Sequence, residues 1–147
     1  MATLKRTMTI DAPVEKVFDY ALDIRNLWDF PDMGLADVDL KPDGEGSSAR
    51  IFAHFLGFHL EMGLKYTEVV RPERIVAEIS GFGFDNPTWT LTFKPVDERT
   101  KLTVTGEWHI NVPAVGGAME GMMVREHKDF VETMLSHIRA GVEPTSA

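Results

Sequence analysis

A chain of 147 residues has the length of one domain and buries roughly 68–70% of its unfolded surface on folding. Its composition is 44% hydrophobic and 26% charged, which excludes a disordered chain. Its formal charge of −8 disfavours nucleic acid and anionic lipid surfaces as partners. The absence of cysteine excludes disulfides, thiolate catalysis and Cys-type zinc sites.

The first residues, Met1 to Arg6, have no apolar run behind their charges, so a secretory signal is not expected. No stretch approaches the length of a membrane-spanning helix. A cytoplasmic protein without stable membrane insertion is the expectation. Thr3–Ile10 alternates, with Leu4, Met8 and Ile10 on one side, and predicts a half-buried strand interrupted by Arg6. Asp11 then stands as an N-cap before Pro13, and Val14, Val17, Phe18 and Ala21 recur at helical spacing. A second short helix is expected over Ile24–Phe30, stopped by Pro31, and a strand over Asp37–Lys41.

From Ser48 to Val112 the period is two. Strands are predicted over Ser48–Leu56, His59–Val69, Arg74–Gly81, Thr88–Pro95 and Lys101–Ile110, joined by hairpin-length turns. The inward set contains Met62, Leu64, Tyr66, Ile79, Trp89, Leu91, Phe93, Val104 and Trp108. A long amphipathic helix over Val115–Ala140 closes the chain. Met119, Met122, Met123, Phe130, Val131, Met134 and Ile138 fall on its apolar stripe. Gly141 is read as its stop, giving one domain over 1–141 and a frayed tail over 142–147.

This order predicts an α+β domain: a curved antiparallel sheet of about seven strands, two short helices after the first strand, and one long helix covering the apolar face. The segment Ile10–Phe18 resembles the strand-to-helix opening of the SRPBCC (START/birch-pollen-allergen-like) superfamily, in its polyketide cyclase/dehydrase-like branch. Asp23–Trp28, the Gly44–Arg50 hairpin entry, Glu68–Ile75 and Arg99–Thr103 are similar to its later signatures in the same order. The resemblance implies the helix-grip fold and a cavity between sheet and long helix. It implies ligands such as lipids, sterols, polyketides or quinones, and supplies no universal catalytic motif.

For an arbitrary α+β domain the inward set would be a solid core. Helix methionines able to re-pack around a ligand, and buried Trp and Tyr whose polar atoms need partners, favour a cavity. Met62, Tyr66, Trp89, Trp108, Met119, Met123, His127, Phe130 and Met134 are the expected lining. His127, inside the apolar stripe, is either a satisfied core histidine or a polar handle for the ligand. Glu120, seven residues earlier, is expected at the stripe's wet edge. His127 with Tyr66 or Glu120 is the one acid/base set available to a cyclase- or dehydratase-like enzyme.

His59 and His109 share strand faces with charged residues and read as surface. No metal motif or cofactor fingerprint occurs, so neither metal nor cofactor is expected. Gly116, Gly117 and Gly121 weaken the start of the long helix, either to let a portal open or to allow close packing on the sheet. The strand Ser48–Leu56 is apolar on both faces. Its outer face suits either a second copy of the chain, as a homodimer, or the short helices. A protein-interaction role on the same fold is the remaining alternative.

Overall fold

A computed structural model of the chain describes residues 2–28, 33–55, 57–81, 86–109 and 116–143. The elements are β1 (Ala2–Ile10), α1 (Val14–Leu22), α2 (Ile24–Trp28), β2 (Met33–Asp39), β3 (Ser48–Phe55), β4 (Phe58–Val70), β5 (Arg74–Ser80), β6 (Thr88–Val96), β7 (Arg99–Trp108) and α3 (Gly116–Val142). The strands form one antiparallel sheet in the order β1-β7-β6-β5-β4-β3-β2. Strands β2 to β7 meander through successive neighbours, and β1 closes on β7 with Ala2 opposite Trp108 and Ile10 opposite Thr100. The architecture is the expected helix-grip α+β domain.

Rows of inward side chains run across the strands and alternate in size. The central row is Tyr66 on β4, Ala77 on β5, Trp89 on β6, Gly106 on β7 and Leu4 on β1. Gly106 is needed there because the Trp89 indole lies on its backbone. A Cβ at 106 would stand 2.7 Å from Cζ3 and 2.8 Å from Cη2 of Trp89. Both Trp89 and its neighbours Ala77 and Leu4 are buried.

The C-terminal half of α3 is sealed against this surface. Val131, Met134, Leu135, Ile138 and Val142 are all within 1% of complete burial, each such side chain contributing about 1.5–3 kcal/mol on removal from water. Polar ties hold that half to β1: Arg139 donates to the Thr9 carbonyl at 3.0 Å, and Arg6 pairs with Glu132 at 3.4 Å. Toward its N-terminus the same helix is loosely covered: Gly117 and Ala118 are exposed, and Met119, Gly121 and Met122 are half-buried. The α3 backbone runs nearest to β1, α1, α2 and β7. Among the described residues its backbone makes no comparable approach to β3, β4, β5 or β6, and it meets β6 through the Trp89 ring.

Several boundaries differ from the sequence reading for local reasons. Asp11 does not cap α1. Pro13 stands at the N-cap with extended backbone and no side-chain cap, and its carbonyl accepts from Lys16 and Val17. The Asp11 N–H instead donates to Glu143 at 2.8 Å, joining the end of α3 to the end of β1. Strand β2 begins at Met33 and is irregular between Ala36 and Asp39, where Asp37 takes a positive φ of 52°. Helix α3 continues through Gly141 to the buried Val142, because Gly141 is a contact and not a stop: a Cβ there would fall 2.3 Å from the Tyr20 ring. Phe30, Pro31, Leu56, Ile110, Val112 and Pro113, used in the sequence reading, lie outside the described residues, as does Pro144 onward.

Gly117 and Gly121 do not serve close packing. A Cβ at either meets no atom within 4 Å among the described residues. Two glycine substitutions therefore have opposite expected signs. Gly106→Ala drives a methyl into an immobile indole and is expected to destabilise by about 1–3 kcal/mol. Gly117→Ala enters open space on a helix and is expected to stabilise by roughly 0.5–1 kcal/mol. Urea unfolding of the two variants reads both.

Candidate functional site

The row that carries Tyr66 and Trp89 is the floor of a cluster of rings drawn from both layers. Trp108, one pleat along β7, meets Trp89 edge-on at 5.3 Å between centroids. Helix α2 delivers Trp28, 6.4 Å from Trp89. Helix α3 delivers Phe130, 5.5 Å from Trp89 and 5.8 Å from Trp28. It also delivers His127, 5.1 Å from Trp108, 6.0 Å from Trp89 and 5.7 Å from Phe130. Edge-to-face and tilted pairs of this kind contribute about 0.5–1.5 kcal/mol each beyond their burial. His127 thus sits where the stripe position indicated, among aromatic rings and half-buried.

Tyr66 is completely buried, and its hydroxyl donates to the Ala21 carbonyl at 2.8 Å. Burial holds its phenol well above the ordinary tyrosine range. The nearby Trp28 indole N–H works in the opposite direction, and the Asp23 carboxylate adds a smaller upward push. Trp28 Nε1 is buried and has no hydrogen-bond partner among the described residues. Tyr66 therefore braces α1 against the sheet, its donor already committed.

Away from the rings, the inner surface toward β2 is apolar and only partly covered. Met33 on β2 lies opposite Ala53 on β3. Leu35 lies opposite Ile51, which in turn lies opposite Met62 on β4. Met33, Leu35, Ala53 and Met62, with Met119 and Phe130 from α3, pack on the core while remaining partly accessible. Ile51 behind them is 1% exposed. Met134, grouped with the lining by sequence, is fully buried in the sealed half. The Met123 side chain lies outside what is described.

Glu120 corrects the sequence reading. It is buried, at 8% exposed, and not at a wet edge. At 3.6 residues per turn it falls within roughly 20° of His127, Val131 and Ile138 around the helix. The middle of the core-facing stripe therefore carries a carboxyl at 120 and aliphatic side chains further along. Of the other histidines, His59 and His109 are exposed, as expected. Trp28 is the site residue that the sequence reading left out of the lining. Its signal was Ile24, Leu27 and Trp28 at i, i+3 and i+4, all of which are buried. Phe52 is 41% exposed with the Arg50 guanidinium 5.4 Å over its ring, so the outer face of β3 does not lie under the short helices. Among the described residues no group of three or more His, Asp or Glu is placed to hold a metal. No described helix is long and apolar enough to cross a membrane.

Residues 1–143 match the family described as polyketide cyclase / dehydrase and lipid transport, and the chain belongs to that family. No curated protein matches it in sequence. Among solved structures it is similar to a protein from Thermus thermophilus, with a TM-score of 0.73 at 20% identity over 94% of each chain. It is also similar to a START superfamily protein from Mycobacterium smegmatis, at 0.71 and 16% identity over 97% of each chain. The allergen Ara h 8.0201 aligns at 0.67 and 16% identity over 94% of this chain and 95% of its own. These likenesses establish the SRPBCC fold that the ordered signatures implied.

The raised Tyr66 pKa has a signed consequence. An unfolded tyrosine loses its proton near 10, while folded Tyr66 keeps its own to higher pH. The stability it contributes is full below about pH 10 and falls as pH rises further, by up to about 1.4 kcal/mol per unit until the folded group also ionises. Tyr66→Phe leaves the Ala21 carbonyl without its donor and is expected to cost about 1 kcal/mol at pH 7. The same variant should lose less stability than wild type between pH 10 and 11.5, measured by denaturant unfolding across that range.

Proposed function

We propose that the protein holds one apolar or amphipathic small molecule, of lipid, polyketide, aromatic or quinone type, between the sheet and the N-terminal half of α3. The observation that carries this reading is the change along α3 itself. Its C-terminal half is sealed by fully buried aliphatic side chains, while toward its N-terminus Gly117 and Ala118 are exposed and Met119, Gly121 and Met122 are only half-buried. The apolar side chains facing that region are Met33, Leu35, Met62 and Met119. Methionine adapts its shape to a guest at little cost in strain, and a mostly apolar wall with few polar groups is what small-molecule sites have. The family description, polyketide cyclase / dehydrase and lipid transport, supports the same class of guest.

A second reading, catalysis on the bound molecule, is favoured by one feature. Glu120 and His127 share a helix face two turns apart, a rise of roughly 10 Å. A carboxyl and an imidazole so placed flank a guest from two ends, and one can take a proton as the other gives one. In a dehydratase- or cyclase-like step the imidazole would accept a proton from carbon while the carboxyl assists loss of hydroxide as water. Under this reading His127→Ala abolishes turnover and leaves guest affinity within about threefold. Under pure carriage there is no turnover to lose.

Native mass spectrometry of the protein purified under mild conditions, followed by extraction of whatever is released, tests the binding function. The expected result is a single non-covalent adduct near one per chain that is apolar or amphipathic on extraction. An unliganded mass, with no rise in melting temperature from any member of a lipid and aromatic panel, would rule the binding function out.

A further inference from the structure

The chain has eight methionines and no cysteine, so every sulfur atom in it is a thioether. Six of the methionine side chains are described, and they divide by their cover. Met134 is completely buried in the sealed half of α3. Met8, Met33, Met62, Met119 and Met122 are half-buried. Three of these, Met33, Met62 and Met119, belong to the apolar wall assigned to the guest, packed on the core and still within reach of solvent. The rows that carry two of them from β2 to β4 hold no polar side chain. Met33 shares its row with Ala53 and Leu60, and Met62 shares its row with Ile51 and Leu35.

A thioether so placed is apolar while reduced, and open to attack on a peroxide. The sulfur lone pair takes the outer oxygen of a hydroperoxide, and an S–O bond forms as the O–O bond breaks. Sulfur gives up two electrons to the peroxide. The hydroperoxide proton passes to the departing oxygen, which leaves as an alcohol, or as water when the oxidant is hydrogen peroxide. We propose that Met33, Met62 and Met119 form an oxidation site at which hydroperoxides switch guest binding off, by converting these thioethers to sulfoxides. The inference rests on the binding function proposed above and adds its regulation. A sulfoxide carries a strong acceptor oxygen, and neither row offers it a side-chain donor among the described residues. That oxygen turns to water or stands unpaired against the guest, and either arrangement sacrifices apolar contact. Met134 is out of reach in the sealed half, so the change acts at the wall and leaves the core intact. Sulfoxide reductases return the thioether, which makes the switch reversible.

Titration of the full chain with N-phenyl-1-naphthylamine, a neutral apolar fluorescent probe, before and after graded hydrogen peroxide reads the switch. Peptide mass spectrometry places each sulfoxide. The expected result is oxidation at 33, 62 and 119 ahead of 134, with probe affinity reduced at least about fivefold. Treatment with the two methionine sulfoxide reductases, one for each epimer, should restore affinity to within about twofold. Met33→Leu, Met62→Leu and Met119→Leu combined conserve the volume of the wall. That variant should bind the probe within about threefold of wild type and keep its affinity through peroxide. Met8→Leu, on the opposite edge strand β1, should leave the loss as it is in wild type. Unchanged affinity in wild type carrying the three sulfoxides, or an equal loss in the triple variant, would overturn the switch and leave the binding function standing. So would oxidation of Met134 in step with the others. Should the triple variant not fold, the reductase decides: a loss that it does not reverse overturns the switch. Absence of probe binding before peroxide would overturn the binding function itself, and the switch with it.

Discussion

The Trp89 indole resting on the bare backbone of Gly106 is the contact on which the interior depends. Because β7 has no side chain at that point, a tryptophan fits flat in the central row between Ala77 and Gly106. Trp108, Trp28, His127 and Phe130 then find ring faces and edges to meet. Protein interiors are packed to crystal-like density, so the floor laid by this contact determines where α2 and α3 come to rest. Helix α3 is drawn onto the β1 side of the sheet, where its aliphatic stripe is sealed.

The proposed binding function rests on that asymmetry. A helix sealed along its whole length would make a solid core, and a helix loose along its whole length would not hold the sheet's apolar face away from water. Here the sealed half supplies the stability, through Val131, Met134, Leu135 and Ile138 and the ties from Arg139 and Glu143. The other half begins with three glycines in six residues, two of them with no described atom within 4 Å of where a Cβ would stand. Local stability is distributed unevenly in folded proteins, and binding regions are drawn from its lower end.

The sheet was legible in the sequence because each strand alternates cleanly, from Leu60-Met62-Leu64-Tyr66 to Leu102-Val104-Gly106-Trp108, and a period of two survives any detail of packing. The position of α3 over the sheet followed from its being the one element long enough to cover it. Two of the misreadings concern residues whose role is set by a distant partner. Asp11 has the chemistry of an N-cap, but its backbone is engaged by Glu143, 132 residues away. Gly141 has the look of a helix stop, but it makes room for Tyr20. The start of β2 was obscured because Gly34 and the positive φ at Asp37 break its alternation. Trp28 was left out of the lining although Ile24, Leu27 and Trp28 recur at i, i+3 and i+4 in the short helix that it ends. Glu120 is the instructive case: its angle around the helix placed it in the core stripe, and the general preference of carboxylates for water was allowed to override that angle. Burial of a charge is rare enough that the preference usually wins.

The central claim is that α3 is closed at one end and covers a guest at the other. Amide hydrogen exchange along α3, with and without a saturating amount of the lipid or aromatic panel member that raises the melting temperature most, tests it most directly. The account predicts strong protection over 131–142 in both samples, weak protection over 116–127 in the free protein, and a rise confined to 116–127 and the facing strands β3 and β4 when the probe is present. Uniform protection along the helix, unchanged by the probe, would contradict it.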